Sequence, residues 1–129
     1  MNAEQQVPSW MPDFVRLEPQ LLRALPSAEG THDLEDVLEG VATGRLHFWP
    51  GRESVVVTEF IDYPRLRAIN FFLAAGDLDE LGDMEETIVK WAQTKGCTRA
   101  MGMGRRGFQR TFFRDRGYTP KWYVMYREI

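Results

Sequence analysis

The chain has 129 residues, which is enough for one domain with a single hydrophobic core and too few for two. Hydrophobic residues make up 43% and charged residues 27%, a composition that excludes wholesale disorder, and the net charge of −3 gives no general attraction to nucleic acid or membrane surfaces. The one cysteine, Cys97, excludes an internal disulfide and a thiolate zinc cluster, so we expect a buried thiol at a strand entrance in a reducing, cytoplasmic setting.

The N-terminal residues are polar and contain Pro8 and Pro12, so we expect residues 1–13 to form a flexible arm. Trp10 is the exception, because a tryptophan is costly to leave in water, and it should pack on the domain or on a partner. No basic segment followed by an apolar one marks a signal peptide, and no run approaches the length of a membrane span, so we expect a protein that is neither exported nor inserted. Residues 14–129 are then one domain.

We expect that domain to begin with a short strand at residues 14–17, followed by a helical turn that ends at Pro26. Thr31 can cap a helix that Gly44 ends, and its apolar residues recur at helical spacing: Leu34, Val37, Leu38 and Val41. Short turns separate three strand-like runs that follow, and their spacing predicts an antiparallel meander of residues 45–49, 54–60 and 66–73.

The apolar period changes after Gly76, where a stripe with acidic residues on the opposite face predicts a helix that Gly96 ends; the stripe consists of Leu78, Leu81, Met84, Ile88 and Trp91. We expect a strand at residues 98–103, a short arginine-rich helix ending at Gly117, and a terminal aromatic strand at residues 118–127. The predicted fold class is α/β, with a mixed, mostly antiparallel sheet flanked by helices.

Charge is unevenly distributed along this order. Residues 77–90 contain six acidic residues and one basic residue, whereas residues 99–129 contain eight basic residues and two acidic ones. A charged ligand would therefore meet either an acidic helix or a basic C-terminal region.

The element order and the closing sequence TFFRDRGY resemble the Gcn5-related N-acetyltransferase (GNAT) fold, with Gly117 and Tyr118 in the place of the family's closing Gly-Phe pair. The blocks VATGRLHFWPG, VVVTEFIDYPR, FFLAAGDLDELGDME, WAQTKGC and GRRGF together are similar to small GNAT-like proteins of tailed bacteriophages. The resemblance implies a GNAT-like sheet and a location in the host cytoplasm or the virion.

The same resemblance places the acetyl-CoA pyrophosphate, if the cofactor binds, at the loop of residues 76–83, with Gly76, Leu81, Gly82 and Asp83 as its contacts. Backbone N–H groups at a helix N-terminus suit phosphates, but this loop has no basic residue and several acids. We expect Asp77 to be a helix N-cap and the acids Asp79, Glu80 and Asp83 to interact with the positive end of the helix. No cofactor is expected on this reading.

Candidate catalytic groups are few. Active family members place a tyrosine general acid four residues before the closing glycine, where this chain has Phe113. Glu59 is a weak candidate for a general base acting through water, against the alternative of a solvated strand residue. His32 and His47 lack metal-ligand spacing and are expected to be solvated or capping residues, and Tyr118 and Tyr123 to be core residues with a wet edge. No metal site is expected.

Arg106, Arg110 and Arg114 recur every four residues and form one cationic ridge, while Phe108 and Phe112 form an apolar one that closes the fold. Such a ridge can form ion pairs with the acidic helix of the same chain, bind an acidic protein surface, or bind nucleic acid. The sequence therefore favours a degenerate, non-catalytic GNAT-fold protein that binds a virion or host protein. The alternatives are an acetyl-CoA-dependent N-acyltransferase and a nucleic-acid binder that uses the arginine ridge.

Overall fold

The computed structural model describes residues 7–103 and 112–129. Four helices and four strands occur in these two ranges: α1 (Met11–Arg16), α2 (Glu18–Ala24), α3 (Leu34–Thr43), β1 (His47–Pro50), β2 (Val55–Asp62), β3 (Arg67–Ala75), α4 (Leu78–Thr94) and β4 (Cys97–Gly102). Short 3₁₀ turns follow α2 at Leu25–Ala28 and lie at Arg114–Arg116.

The strands form one sheet in the order β1-β2-β3-β4, antiparallel between β1, β2 and β3 and parallel between β3 and β4. The meander was predicted because short turns join antiparallel neighbours, and the parallel pair arises because α4 carries the chain back across the sheet. The α/β class with a mixed sheet flanked by helices is confirmed.

Both faces of the sheet are covered, because successive strand residues point to opposite sides. Val55 and Val57 pack against α1, α2 and α3, whereas Val56 between them packs against α4. The core therefore has two halves, with Leu21 fully buried on the first face and Ile88 fully buried on the second.

The predicted strand at residues 14–17 is wrong, because these residues belong to α1 and the turn into α2. Phe14, Leu17, Leu21 and Ala24 are buried at spacings of three and four, which is the period of a helix rather than of a strand. The predicted arm boundary at residue 13 falls inside α1, and Trp10 packs at its start against Phe14 and Phe48, with ring centroids 5.9 and 6.5 Å away.

The N-cap of α3 also differs from the expectation. Asp33, not Thr31, caps the helix: its side chain accepts a hydrogen bond from the Asp36 amide at 2.9 Å, and the Asp36 side chain accepts one from the Asp33 amide at 3.0 Å. Thr31 instead donates its hydroxyl to the Ala28 carbonyl at 2.9 Å. This reciprocal pair is a capping box, for which an acid three residues after the cap is the sequence signal.

The C-terminal region departs most from the prediction. Residues 118–129 contain no regular secondary structure, so the terminal aromatic strand at residues 118–127 is wrong for the chain on its own. The turn at Arg114–Arg116 does end at Gly117, whose φ of +84° lies in the left-handed region that favours glycine. Most of the predicted arginine-rich helix, including Arg106 and Arg110, lies outside the described residues.

Candidate functional site

α4 begins just after the C-terminal end of β3, where the chain passes very close to Ser54, the residue before β2. Gly76 has φ +137°, and a Cβ there would collide with the side chain and Cα of Ser54 on the neighbouring strand connection. Ser54 is fully buried, and its hydroxyl accepts a hydrogen bond from the Asp77 amide at 2.9 Å. The Asp77 side chain in turn accepts a hydrogen bond from the Asp79 amide at 3.3 Å, so the predicted N-cap is confirmed.

Glu80, an acid of the predicted cofactor loop, is bound to the turn between β1 and β2. Its carboxylate accepts hydrogen bonds from the amides of Arg52 at 2.7 Å and Glu53 at 3.0 Å. The Ser54 hydroxyl and these two amides hold the pKa of Glu80 at about 2, well below that of an ordinary glutamate. Glu80 therefore fixes a hairpin turn to the first turn of α4, in addition to interacting with the positive end of its own helix.

Arg116 supplies the basic group that this loop lacks. Its guanidinium lies against Gly82, where a Cβ would overlap Nη2. The same side chain is 3.9 Å from the Glu85 carboxylate and lies over the Phe112 ring, 4.4 Å from its centroid. The basic C-terminal region thus meets the acidic helix through an arginine outside the predicted ridge.

A cleft of about 290 Å³ lies beside these residues, at the C-terminal end of β3. Its walls are mostly apolar and include Phe71, Leu81, Met103, Phe112 and Phe113, with Arg23 and Glu85 as charged members. Burial raises the pKa of Glu85, while Arg116 opposes that shift. Clefts outside the carboxyl ends of strands are common ligand sites in α/β folds.

Of the four predicted cofactor contacts, Gly76 and Leu81 line this cleft. Gly82 is buried beneath Arg116, and Asp83 is exposed on the outer face of α4.

Phe113 lines the cleft as well. Its ring lies against Gly102, at the end of β4, and contacts the Tyr118 ring, with centroids 4.9 Å apart. Burial raises the pKa of the Tyr118 hydroxyl.

Glu59 does not line this cleft. On β2 it is paired with Asn70, whose side-chain amide donates to its carboxylate at 3.0 Å, and Asn70 is six residues, or about 20 Å of strand, before Gly76. Glu59 instead lines a separate polar pocket of about 580 Å³ with His32, His47, Arg45 and the ion pair of Asp62 and Arg67. The structure therefore does not bring Glu59 together with the predicted cofactor contacts.

The expectation that His47 is a solvated or capping residue is wrong, because the residue is half-buried on β1. Its Nδ1 is 2.9 Å from the hydroxyl of the buried Thr58, and its ring packs on Phe60 and Trp91 at 4.5 and 5.0 Å. Burial lowers the pKa of His47, and the nearby Glu59 carboxylate opposes the shift. His32 is half-buried against Phe72, with ring centroids 4.6 Å apart.

Among the described residues, no group of three or more histidine, cysteine, aspartate or glutamate side chains could hold a metal ion. Cys97 is buried, as expected, and burial raises the pKa of its thiol. No helix in residues 7–103 or 112–129 is both long and apolar enough to cross a membrane.

The C-terminal segment, residues 119–129, is exposed throughout. Its large apolar side chains are 64% to 108% exposed, and they are Trp122, Tyr123, Val124, Met125, Tyr126 and Ile129. Tyr123, expected to be a core residue with a wet edge, belongs to this exposed set. Arg114, the one described member of the arginine ridge, is exposed nearby in sequence.

Comparison of the chain with models of known protein families, with curated proteins and with solved structures finds no match.

Proposed function

We propose that this chain is a non-catalytic protein-binding domain with a GNAT-like fold, encoded by a tailed bacteriophage and acting on a virion protein or a host component. The C-terminal segment is the observation that carries the proposal. Six large apolar side chains, each more than 60% exposed, lie within eight residues, and clusters of exposed apolar side chains mark interaction sites. Aromatic residues and methionine are also the types enriched at protein interfaces.

The contacts of the predicted cofactor loop support binding rather than acetyl transfer. Asp77 is used as an N-cap and Glu80 as the acceptor for the turn amides of Arg52 and Glu53, so both acids have structural roles in the fold. They add negative charge beside any phosphate bound at this helix end. Phe113 in the place of the family's tyrosine has no proton to transfer to a leaving thiolate.

The proposal is tested by capture from phage particles and from infected host cells, using the intact chain and a variant with Trp122→Ser and Met125→Ser. Both side chains are exposed, so the folded domain should keep its thermal stability. A control with Val15→Ser and Leu22→Ser removes two exposed apolar residues elsewhere. We expect the captured protein to be lost only with the first variant, and to bind the intact chain again when purified.

Equal capture by all three proteins would contradict the role of the C-terminal segment. In the same assay, changing Arg114 to glutamine tests the basic ridge as a second contact. A partner with an acidic surface should then bind more weakly, and the loss should shrink at high salt because exposed charges are screened.

A second candidate, an acetyl-CoA-dependent N-acyltransferase, is favoured by the position of Arg116. Its guanidinium reaches the first turns of α4, where a phosphate could meet both the helix N-terminus and an arginine. The cleft beside it is mostly apolar. This candidate predicts saturable acetyl-CoA binding that Arg116→Gln weakens.

A further inference from the structure

β4 is an edge strand of the four-stranded sheet. Among the described elements, β4 pairs with β3 alone, and Thr98 and Arg99 are exposed on it. A strand at a sheet edge presents unpaired backbone N–H and C=O groups that can accept one more strand. Cys97 and the half-buried Ala100 belong to the half of the core that faces α4. A strand added at this edge would therefore lie next to the existing hydrophobic core.

The C-terminal segment begins close to the end of β4. The Phe113 ring lies against Gly102, the last residue of β4, and the Tyr118 amide donates to the Phe113 carbonyl at 3.1 Å. From this point a strand antiparallel to β4 would run back along the edge. The segment has eleven residues against six in β4, so it is long enough to cover the whole edge.

The residue pattern of the segment suits a strand buried on both faces. Trp122, Val124 and Tyr126 alternate with Tyr123 and Met125, so apolar side chains point to both sides of an extended chain. β-branched and aromatic residues dominate, and these are the types that strands favour. A segment with this pattern left in water is a template for pairing with another chain.

Within its own subunit the segment does not follow β4. Its Tyr126 hydroxyl donates to the Glu29 carboxylate at 3.2 Å, and Glu29 comes directly after the 3₁₀ turn that follows α2, on the opposite side of the sheet from α4. The segment is therefore directed away from the end of β4, close to which it begins. Within the part of the chain that the structure describes, one copy thus carries both a strand-forming segment without a partner strand and an edge strand with one neighbour.

We infer that the C-terminal segment of one copy adds as an antiparallel strand to β4 of a second copy, and that the second copy returns its own segment in the same way. This inference rests on the proposed protein-binding role of the segment and names a second copy of this chain as its partner. A two-fold arrangement satisfies both edges at once, because each copy donates the same segment that it accepts. Any virion or host protein is then bound by the dimer.

The test combines mass and backbone protection in the intact protein. Sedimentation from about 5 to about 200 µM should give a species of twice the 15.0 kDa chain mass that dissociates on dilution. Hydrogen exchange should show that amides of residues 98–102 become protected as the dimer forms. Amides of β1, the other edge strand, should be unchanged. A chain ending at Tyr118 and the full-length Trp122→Ser/Tyr126→Ser variant should both be monomers in which the amides of residues 98–102 gain no further protection.

Four results would overturn the inference. A monomer at every concentration would remove the second copy as the partner, while capture of a virion or host protein through the segment would still decide the proposed function. A dimer that survives both variants would place the interface elsewhere. A dimer lost in the variants without protection of β4 would remove the edge, and protection of β4 in a monomer would show that the segment pairs within its own chain.

Discussion

The guanidinium of Arg116 occupies the space that a side chain on Gly82 would need, although the two residues are 34 positions apart in sequence. This contact joins the basic C-terminal region to the acidic helix α4. The approach to Gly82 leaves the guanidinium beside the Glu85 carboxylate and over the Phe112 ring. A glycine inside a helix, normally unfavourable, is thus explained by the arginine that covers it.

Gly82→Ala should show energetic coupling to Arg116. Alanine gains about 1 kcal/mol over glycine inside a helix, but in the native chain its methyl group must displace the arginine. In an Arg116→Ala background the full gain should appear. Urea unfolding of the four proteins in this cycle should therefore give a coupling free energy of about 0.5–1 kcal/mol. Equal gains in both backgrounds would contradict the contact.

Glu80→Gln should destabilise the fold by about 1–2 kcal/mol at neutral pH, because an amide cannot accept both turn N–H groups as a carboxylate does. Since the pKa of Glu80 is lowered to about 2, its contribution is fully present above the unfolded value near 4.3 and is lost as pH falls toward 2. The difference between the two proteins should therefore shrink below about pH 4. Glu86→Gln, at an exposed site on the same helix, is the control and should change stability little.

The capping box of α3 predicts unequal effects of two neighbouring substitutions. Asp33→Ala should cost about 1 kcal/mol of unfolding free energy, because the Asp36 amide loses its acceptor. Thr31→Ala removes exposed hydroxyl contacts to the Ala28 carbonyl and the His32 ring and should cost less than half as much. Thermal unfolding at pH 7 measures both, and the reverse order would restore Thr31 as the cap.

His47 should make the fold sensitive to mild acid. Burial favours its neutral form, so its folded pKa lies below the unfolded value near 6.5, and the unfolded state binds more protons as pH falls through this range. Stability should be complete above about pH 6.5 and decrease below it. His47→Phe should weaken that decrease, while NMR titration should give a His47 pKa below 6.5. A pKa above 6.5 would contradict its burial among Phe60 and Trp91.

Local sequence signals predicted the middle of the molecule well. The spacing of apolar residues located α3, α4 and the four strands, and Asp77 and Gly44 marked helix ends because capping depends on neighbouring residues. The error at residues 14–17 arose because four residues are too few to separate a period of 2 from one of 3.6. A longer window through Leu21 and Ala24 contained the helical signal.

The site was less predictable because its contacts are distant in sequence. Nothing near Glu80 indicates that its carboxylate binds the amides of Arg52 and Glu53, and nothing near Gly82 indicates Arg116. His47 was misjudged because its partners, Thr58, Phe60 and Trp91, come from another strand and a helix. The segment after Tyr118 has the residue pattern of a strand. A strand also needs a neighbouring strand to pair with, and the pattern does not indicate which one.

Titration of the purified protein with acetyl-CoA most directly tests the central claim that this domain binds a protein and does not transfer acetyl groups. A ligand at about 100 times its Kd adds about 2.7 kcal/mol to the unfolding free energy, so binding would be evident as a rise in Tm and as saturable heat in calorimetry. Our account predicts neither effect up to about 1 mM cofactor, for the native chain and for Arg116→Gln alike. A saturable rise in Tm that Arg116→Gln reduces would contradict it and identify the cleft beside α4 as a cofactor site.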